Sequence, residues 1–249
     1  MRNILPEIAA ALLFPLIIWQ GKRTRRMTPR LPEAPGETTG VMTEDGRSLR
    51  TEEADLSLCM QVLGIGESPI AGVGVASQDQ AVIAQFARIL AQKLACPVAW
   101  QSCGKNGATV QHALTALMPT IKTRPVDIVI IGFGVNDTTA FHSPFQYQQA
   151  LRQMIGEVRA RLTPEVIVIA SVPPLERFPA LPWPLNKVLG LKARVLDRAA
   201  QSLVKDFPDV VHVMATMDMN DPKLMAMDGY HPSELGALVW ARQMVRALT

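Results

Sequence analysis

The chain has 249 residues, 48% of them apolar and 19% charged, which is enough for one large domain or two small ones and too apolar for a disordered chain. Its 25 Lys and Arg outnumber 22 Asp and Glu, and the whole excess of +3 falls within residues 1–50. The charge-balanced remainder offers no basic surface for nucleic acid, and three cysteines (Cys59, Cys96, Cys103) without CxxC spacing exclude a disulfide framework or a four-cysteine zinc site.

The first 26 residues read as an apolar segment with a basic flank. Residues 3–20 are nearly long enough to span a bilayer, although Pro6, Glu7 and Pro15 interrupt them. A membrane anchor is the expectation. An interfacial amphipathic segment and a helix packed on the protein are the alternatives. If the segment spans, Lys22 to Arg26 place the domain on the cytoplasmic face, with the extracytoplasmic orientation as the reverse case. No A-x-A site follows the run, as a cleaved signal peptide requires. Residues 27–56, with Pro29, Pro32, Pro35, Gly36 and Gly40 and no apolar period, are expected to be a linker. The folded domain is then 57–249.

Within the domain, short apolar runs alternate with helical periods. Strands are expected at 58–63, 97–100, 127–131, 165–170 and 209–213. Helices are expected at 78–95, 108–118, 144–162, 186–205 and 232–248. Asp127 to Ile131 and Glu165 to Ala170 are continuously apolar after their first residue, as for strands buried on both faces. The alternation predicts an α/β fold with a parallel sheet between two helical layers. Ligands of such sheets bind beyond the carboxyl ends of the strands. The segments found there are 64–68, 102–107, 132–137, 171–174 and, before the last helix, 228–231. All are polar or rich in glycine or proline.

Several chemistries are open at that edge. Serine needs an adjacent base to act as a nucleophile. Ser68 lies at a strand exit, where a turn or a helix N-cap is the alternative. His231 follows Asp228 by three residues, a spacing that suits a carboxylate orienting an imidazole, and equally a plain turn into a helix. Gly107 can bring a backbone N–H to a substrate oxygen and Asn136 can offer a side-chain N–H, or each can simply form a turn. No dinucleotide fingerprint, P-loop or G-x-S-x-G elbow is present. His231 has no second histidine at helical spacing, so neither a metal nor a cofactor is expected.

Four blocks in order, GESPIAGVG (66–74), NGAT (106–109), GVND (134–137) and DGYHPS (228–233), resemble the SGNH hydrolases, the GDSL-type esterases and lipases. The resemblance covers roughly residues 57–248. It implies a three-layer α/β/α sandwich, flavodoxin-like, with a five-stranded parallel sheet. It also implies a serine esterase with Ser68 as nucleophile, His231 as base and Asp228 as its partner. The oxyanion hole would be made by Ser68, Gly107 and Asn136. Glu67 departs from the family's usual aspartate before the serine, which leaves the hydrogen bonding of that loop open. The Pro-rich, apolar stretch 171–189 is expected to wall an acyl pocket through Pro173, Phe178 and Trp183. Acyl or lipid esters are the favoured substrates. Carbohydrate deacetylation and acyl transfer use the same triad, and a non-catalytic flavodoxin-like binding module is the reading from another class.

Overall fold

The computed structural model describes residues 13–214 and 216–248. Seven strands, the first two being β1 (Thr39–Met42) and β2 (Ser48–Leu49), form one sheet in the order β2-β1-β4-β3-β5-β6-β7. The five strands β3 (Met60–Gly66), β4 (Val98–Gly104), β5 (Ile128–Gly132), β6 (Val166–Ala170) and β7 (Val210–Val213) are parallel neighbours. This is the five-stranded parallel core that the sequence pattern predicts.

Alternation along the strands divides the core in two. Leu63, Ile65, Val129, Ile131, Ile167 and Ile169 face one layer. Val62, Ile128, Ile130 and Val168 face the other. The first layer holds α3 (Val110–Ala116), α5 (Pro144–Leu162) and α6 (Leu185–Leu203). The second holds α2 (Val82–Leu94) and α7 (Glu234–Leu248), which pack on each other. Both faces of the sheet are therefore apolar, which is why its central strands read as continuous apolar runs. Local signals place the helices. Ser143 and Gln146 form a reciprocal capping box at the start of α5, with Pro144 in its first turn.

The stretch 27–56 is not a linker. It contributes β1 (Thr39–Met42) and β2 (Ser48–Leu49), an antiparallel hairpin that extends the sheet beyond β4. Val41 and Met42 are buried. Gly40 passes against the Trp100 indole, where a Cβ would sit 2.9 Å from its Nε1. Upstream, Gln78 Nε2 donates to the carbonyls of Ala34 and Ala71 at 3.1 Å each, which fastens this segment to the loop after β3. A four-residue strand that owes its existence to pairing with β4 carries no periodic pattern of its own.

Of the apolar stretch 3–20, residues 3–12 lie outside the described residues. The rest begins α1 (Phe14–Met27), which packs on α6. Ile17 joins the core, and Gln20 is buried between two backbone partners. Its Nε2 donates to the Trp183 carbonyl at 2.7 Å, and its Oε1 accepts from Leu185 N–H at 3.1 Å. Among the described residues no helix is long and apolar enough to cross a membrane.

Candidate active site

The loops at the carboxyl ends of β3, β4 and β5 converge where the sheet's central strands stop. Gly66 of β3 pairs with Gly104 of β4 and Gly132 of β5. After Gly66 the chain turns sharply: Ile70 and Ala71 N–H both donate to the Glu67 carbonyl, and Val73 N–H donates to that of Ser68. The turn buries Glu67 and Ser68 at the head of the sheet. Gly74 (φ +102°) closes it against the segment before α7, where a Cβ would lie 2.4 Å from the Pro232 carbonyl and 3.1 Å from His231 Cβ.

That second segment carries Asp228 and His231. It is held by Ala226 N–H donating to the His231 carbonyl (2.8 Å), Ser233 N–H to Leu224 (3.0 Å) and Ala180 N–H to Gly229 (3.1 Å). Its side chains make a continuous polar line. His231 Nε2 is 3.0 Å from Ser68 Oγ, and His231 Nδ1 is 2.5 Å from Asp228 Oδ2. Asp228 Oδ1 accepts from the N–H groups of Tyr230 (2.9 Å) and His231 (3.0 Å). Burial works to raise the Asp228 carboxyl, but the His231 side chain and these two N–H groups prevail and hold it below its usual range. A proton on Nδ1 satisfies the carboxylate and leaves Nε2 to accept from the serine hydroxyl. Tyr230 braces the imidazole edge-on, with centroids 5.4 Å apart, and rests in turn on Phe178.

The other histidines are committed elsewhere. His142 Nδ1 meets the buried Asp137 and His212 Nε2 meets Asp197, each at 2.9 Å, while His112 is exposed on α3. Among the described residues, no three His, Cys, Asp or Glu side chains gather in a way that could hold a metal ion.

The donor groups are less uniform. Gly107 has φ +82°, a conformation glycine adopts freely, with open space where a Cβ would lie. Neither its N–H nor that of Ser68 meets an acceptor among the described residues. The Asn136 amide, by contrast, is engaged: Nδ2 donates to Glu67 Oε2 at 2.6 Å and to the Ala108 carbonyl at 3.1 Å. Glu67 also accepts from the N–H groups of Val135 and Asn136, each at 2.9 Å. Glu67 therefore organises the start of α4 (Val135–Thr139), the short helix that carries Asn136.

Burial pushes the Glu67 carboxyl up to about 8, against the pull of these three N–H donors and with help from the nearby Asp137. The folded protein thus retains a proton that the unfolded chain loses above its ordinary value of 4.5. Stability is expected to fall as pH rises through that window, by up to ~1.4 kcal/mol per unit. Denaturant titrations of wild type and Glu67→Gln between about pH 5 and pH 8 test this, the pH range being set by the raised carboxyl. The wild type should lose ground steadily to the variant, and parallel curves would contradict it.

Two cavities meet at Ser68. A narrow one of about 60 Å³ lies behind it, bordered by Pro173, Phe178, Met217, Met219, Met225 and Tyr230. A larger cleft of about 880 Å³ is lined by Ser68, Asn136 and His231, by Leu181, Leu185 and Leu189, and by Phe14, Ile17 and Ile18 of α1. Of the three residues expected to wall an acyl pocket, Pro173 and Phe178 border the narrow cavity. Trp183 does not: its side chain is 74% exposed and borders neither cavity, while its carbonyl anchors Gln20. The Pro-rich turn aims the smaller Leu181 and Leu185 inward instead. Sequence reasoning also missed Tyr230, although it lies between Asp228 and His231, and it missed α1 as a cleft wall.

The family model described as GDSL-like Lipase/Acylhydrolase family matches residues 65–239. No curated protein matches the chain. Solved structures with the same fold include a lipase from a goat rumen metagenome (16% identity, TM-score 0.58, covering 76% of this chain and 97% of that one). A lipase/acylhydrolase from Enterococcus faecalis is 20% identical, with TM-score 0.55 and coverage of 74% and 93%. A carbohydrate esterase family 2 enzyme with a carbohydrate-binding domain, from Corynascus thermopiles (Myceliophthora fergusii), is 16% identical, with TM-score 0.59 and coverage of 82% and 69%.

Proposed function

Because the chain belongs to the GDSL-like lipase/acylhydrolase family, we propose that it is a serine esterase acting on carboxylic esters with an apolar chain. The observation that carries this reading is the hydrogen-bonded line Ser68–His231–Asp228 at the base of the cleft. Ser68 Oγ attacks the ester carbonyl as its proton passes to His231 Nε2. Asp228 fixes the ring and stabilises the imidazolium. The tetrahedral intermediate collapses, and the departing alcohol takes the proton from His231. Water then attacks the acyl-serine, with His231 again accepting the proton; the acyl–Oγ bond breaks, Ser68 Oγ takes that proton back from His231, and the carboxylic acid leaves.

The N–H groups of Ser68 and Gly107 are donors for the oxyanion, since neither has another acceptor among the described residues. Asn136 is the third. To donate, its amide exchanges one of its present acceptors, Glu67 or the Ala108 carbonyl, for the oxyanion. Asn136→Ala is expected to lower kcat by about 10²–10³-fold with little change in KM. Steady-state kinetics on a chromogenic ester measure it, and a rise in KM alone would contradict the assignment.

The apolar walls of the larger cleft favour an acyl chain over a sugar. Deacetylation of a carbohydrate and transfer to an alcohol acceptor would use the same groups.

A further inference from the structure

The larger cleft at Ser68 is lined by apolar side chains and by three cations. Lys22 and Arg25 of α1, and Arg30 just beyond it, line the same cleft as Ser68 and His231. The acidic side chain lining it is Asp228, which is buried with its oxygens already held by His231 and two backbone N–H groups. Among the described residues none of the three cations forms an ion pair. Arg25 is near enough to act electrostatically on Tyr230, whose ring lies against that of His231. The helix is not free to carry these charges elsewhere, because Ile17 and Gln20 fix its rotation against α6.

Resting on the esterase reading above, we propose that the substrate is an amphiphilic ester with an anionic head group. Its apolar chain lies between α1 and Leu185, and its phosphate or carboxylate is held by Lys22, Arg25 and Arg30. An apolar cleft excludes water from the chain, while unpaired cations at its border gain more from an anion than from a neutral hydroxyl. A neutral ester would offer these three cations no counter-charge. The helix that the sequence suggests as an anchor then serves as the part of the site that selects the substrate.

The test uses the full chain and three esters of one acyl chain: a monoacylglycerol phosphate, an O-acyl glycerate and a monoacylglycerol. The expected result is a kcat/KM higher for both anionic esters than for the neutral one, by about tenfold, declining as salt is added. The order of the first two tells phosphate from carboxylate. Lys22→Gln with Arg25→Gln should abolish most of that preference, and Lys22→Arg with Arg25→Lys should retain it. Each preference is a ratio within one preparation, so it does not depend on the fraction folded.

Equal rates on all three esters, or a preference that survives the double glutamine variant, would overturn the proposal while leaving the esterase reading intact. Failure to hydrolyse any of them, or a short chromogenic ester, would overturn both.

Discussion

Replacing Ser68 by alanine is expected to reduce ester turnover by about 10⁴-fold or more, the scale seen when a triad nucleophile is removed. The argument is geometric. Ser68 Oγ is the hydroxyl in contact with His231 Nε2, at 3.0 Å, and it opens onto both the narrow pocket and the larger cleft. Alanine deletes that oxygen and leaves the turn intact, because the turn is held by backbone bonds to the carbonyls of Glu67 and Ser68. Stability should therefore change by only ~1 kcal/mol, the worth of one hydrogen bond. Kinetics and a denaturant melt on the same preparation separate the two effects. Activity within about tenfold of wild type would remove Ser68 from the mechanism.

The second large effect is expected for Asp228→Asn, about 10⁴-fold in kcat by analogy with the equivalent change in a serine protease triad. The carboxylate of Asp228 does two jobs with separate oxygens. Oδ1 accepts the N–H groups of Tyr230 and His231, which shapes the turn, and Oδ2 accepts from His231 Nδ1. Asparagine can keep its oxygen on the backbone donors, so the turn persists. Its amide nitrogen then faces Nδ1 as a donor. The imidazole must carry its proton on Nε2, where it can no longer accept from Ser68. A loss confined to kcat, with KM near wild type, is the expected signature. A loss of less than about tenfold would reduce Asp228 to a turn former.

Much of this site was legible because its parts are local. Asp228 and His231 are three residues apart, and Ser68, Gly107 and Asn136 each follow an apolar run that the structure turns into a parallel strand. The parallel strands themselves announce their burial on two faces through unbroken runs such as Ile128–Gly132. What was not legible depends on partners distant in sequence. The β1–β2 hairpin exists through its pairing with β4, and nothing in Pro- and Gly-rich composition signals it.

The packing of the described part of the first helix was not legible for another reason. Its apolar residues are dense enough to suggest a span, but burial follows a helical period, with Ile17 and Gln20 turned inward and Phe14, Leu16, Ile18 and Trp19 left exposed. A polar Gln20 on the inward face was the available clue. A membrane-spanning reading has no use for it, whereas docking needs it to satisfy the Trp183 carbonyl and the Leu185 N–H. Glu67 stands out in the sequence as a departure, yet its hold on Asn136 does not, because the two are 69 residues apart. Apolarity suggests Trp183 for the pocket, but apolarity cannot say which way a loop residue points.

The most direct measurement is covalent. The full chain is treated with a fluorophosphonate ester, digested and mapped by mass spectrometry, with His231→Ala treated in parallel. The account predicts one adduct, on Ser68, that is lost in the variant, since an unassisted serine hydroxyl is too poor a nucleophile to react. No adduct in well-folded protein, or an adduct on Ser68 that persists without His231, would contradict it.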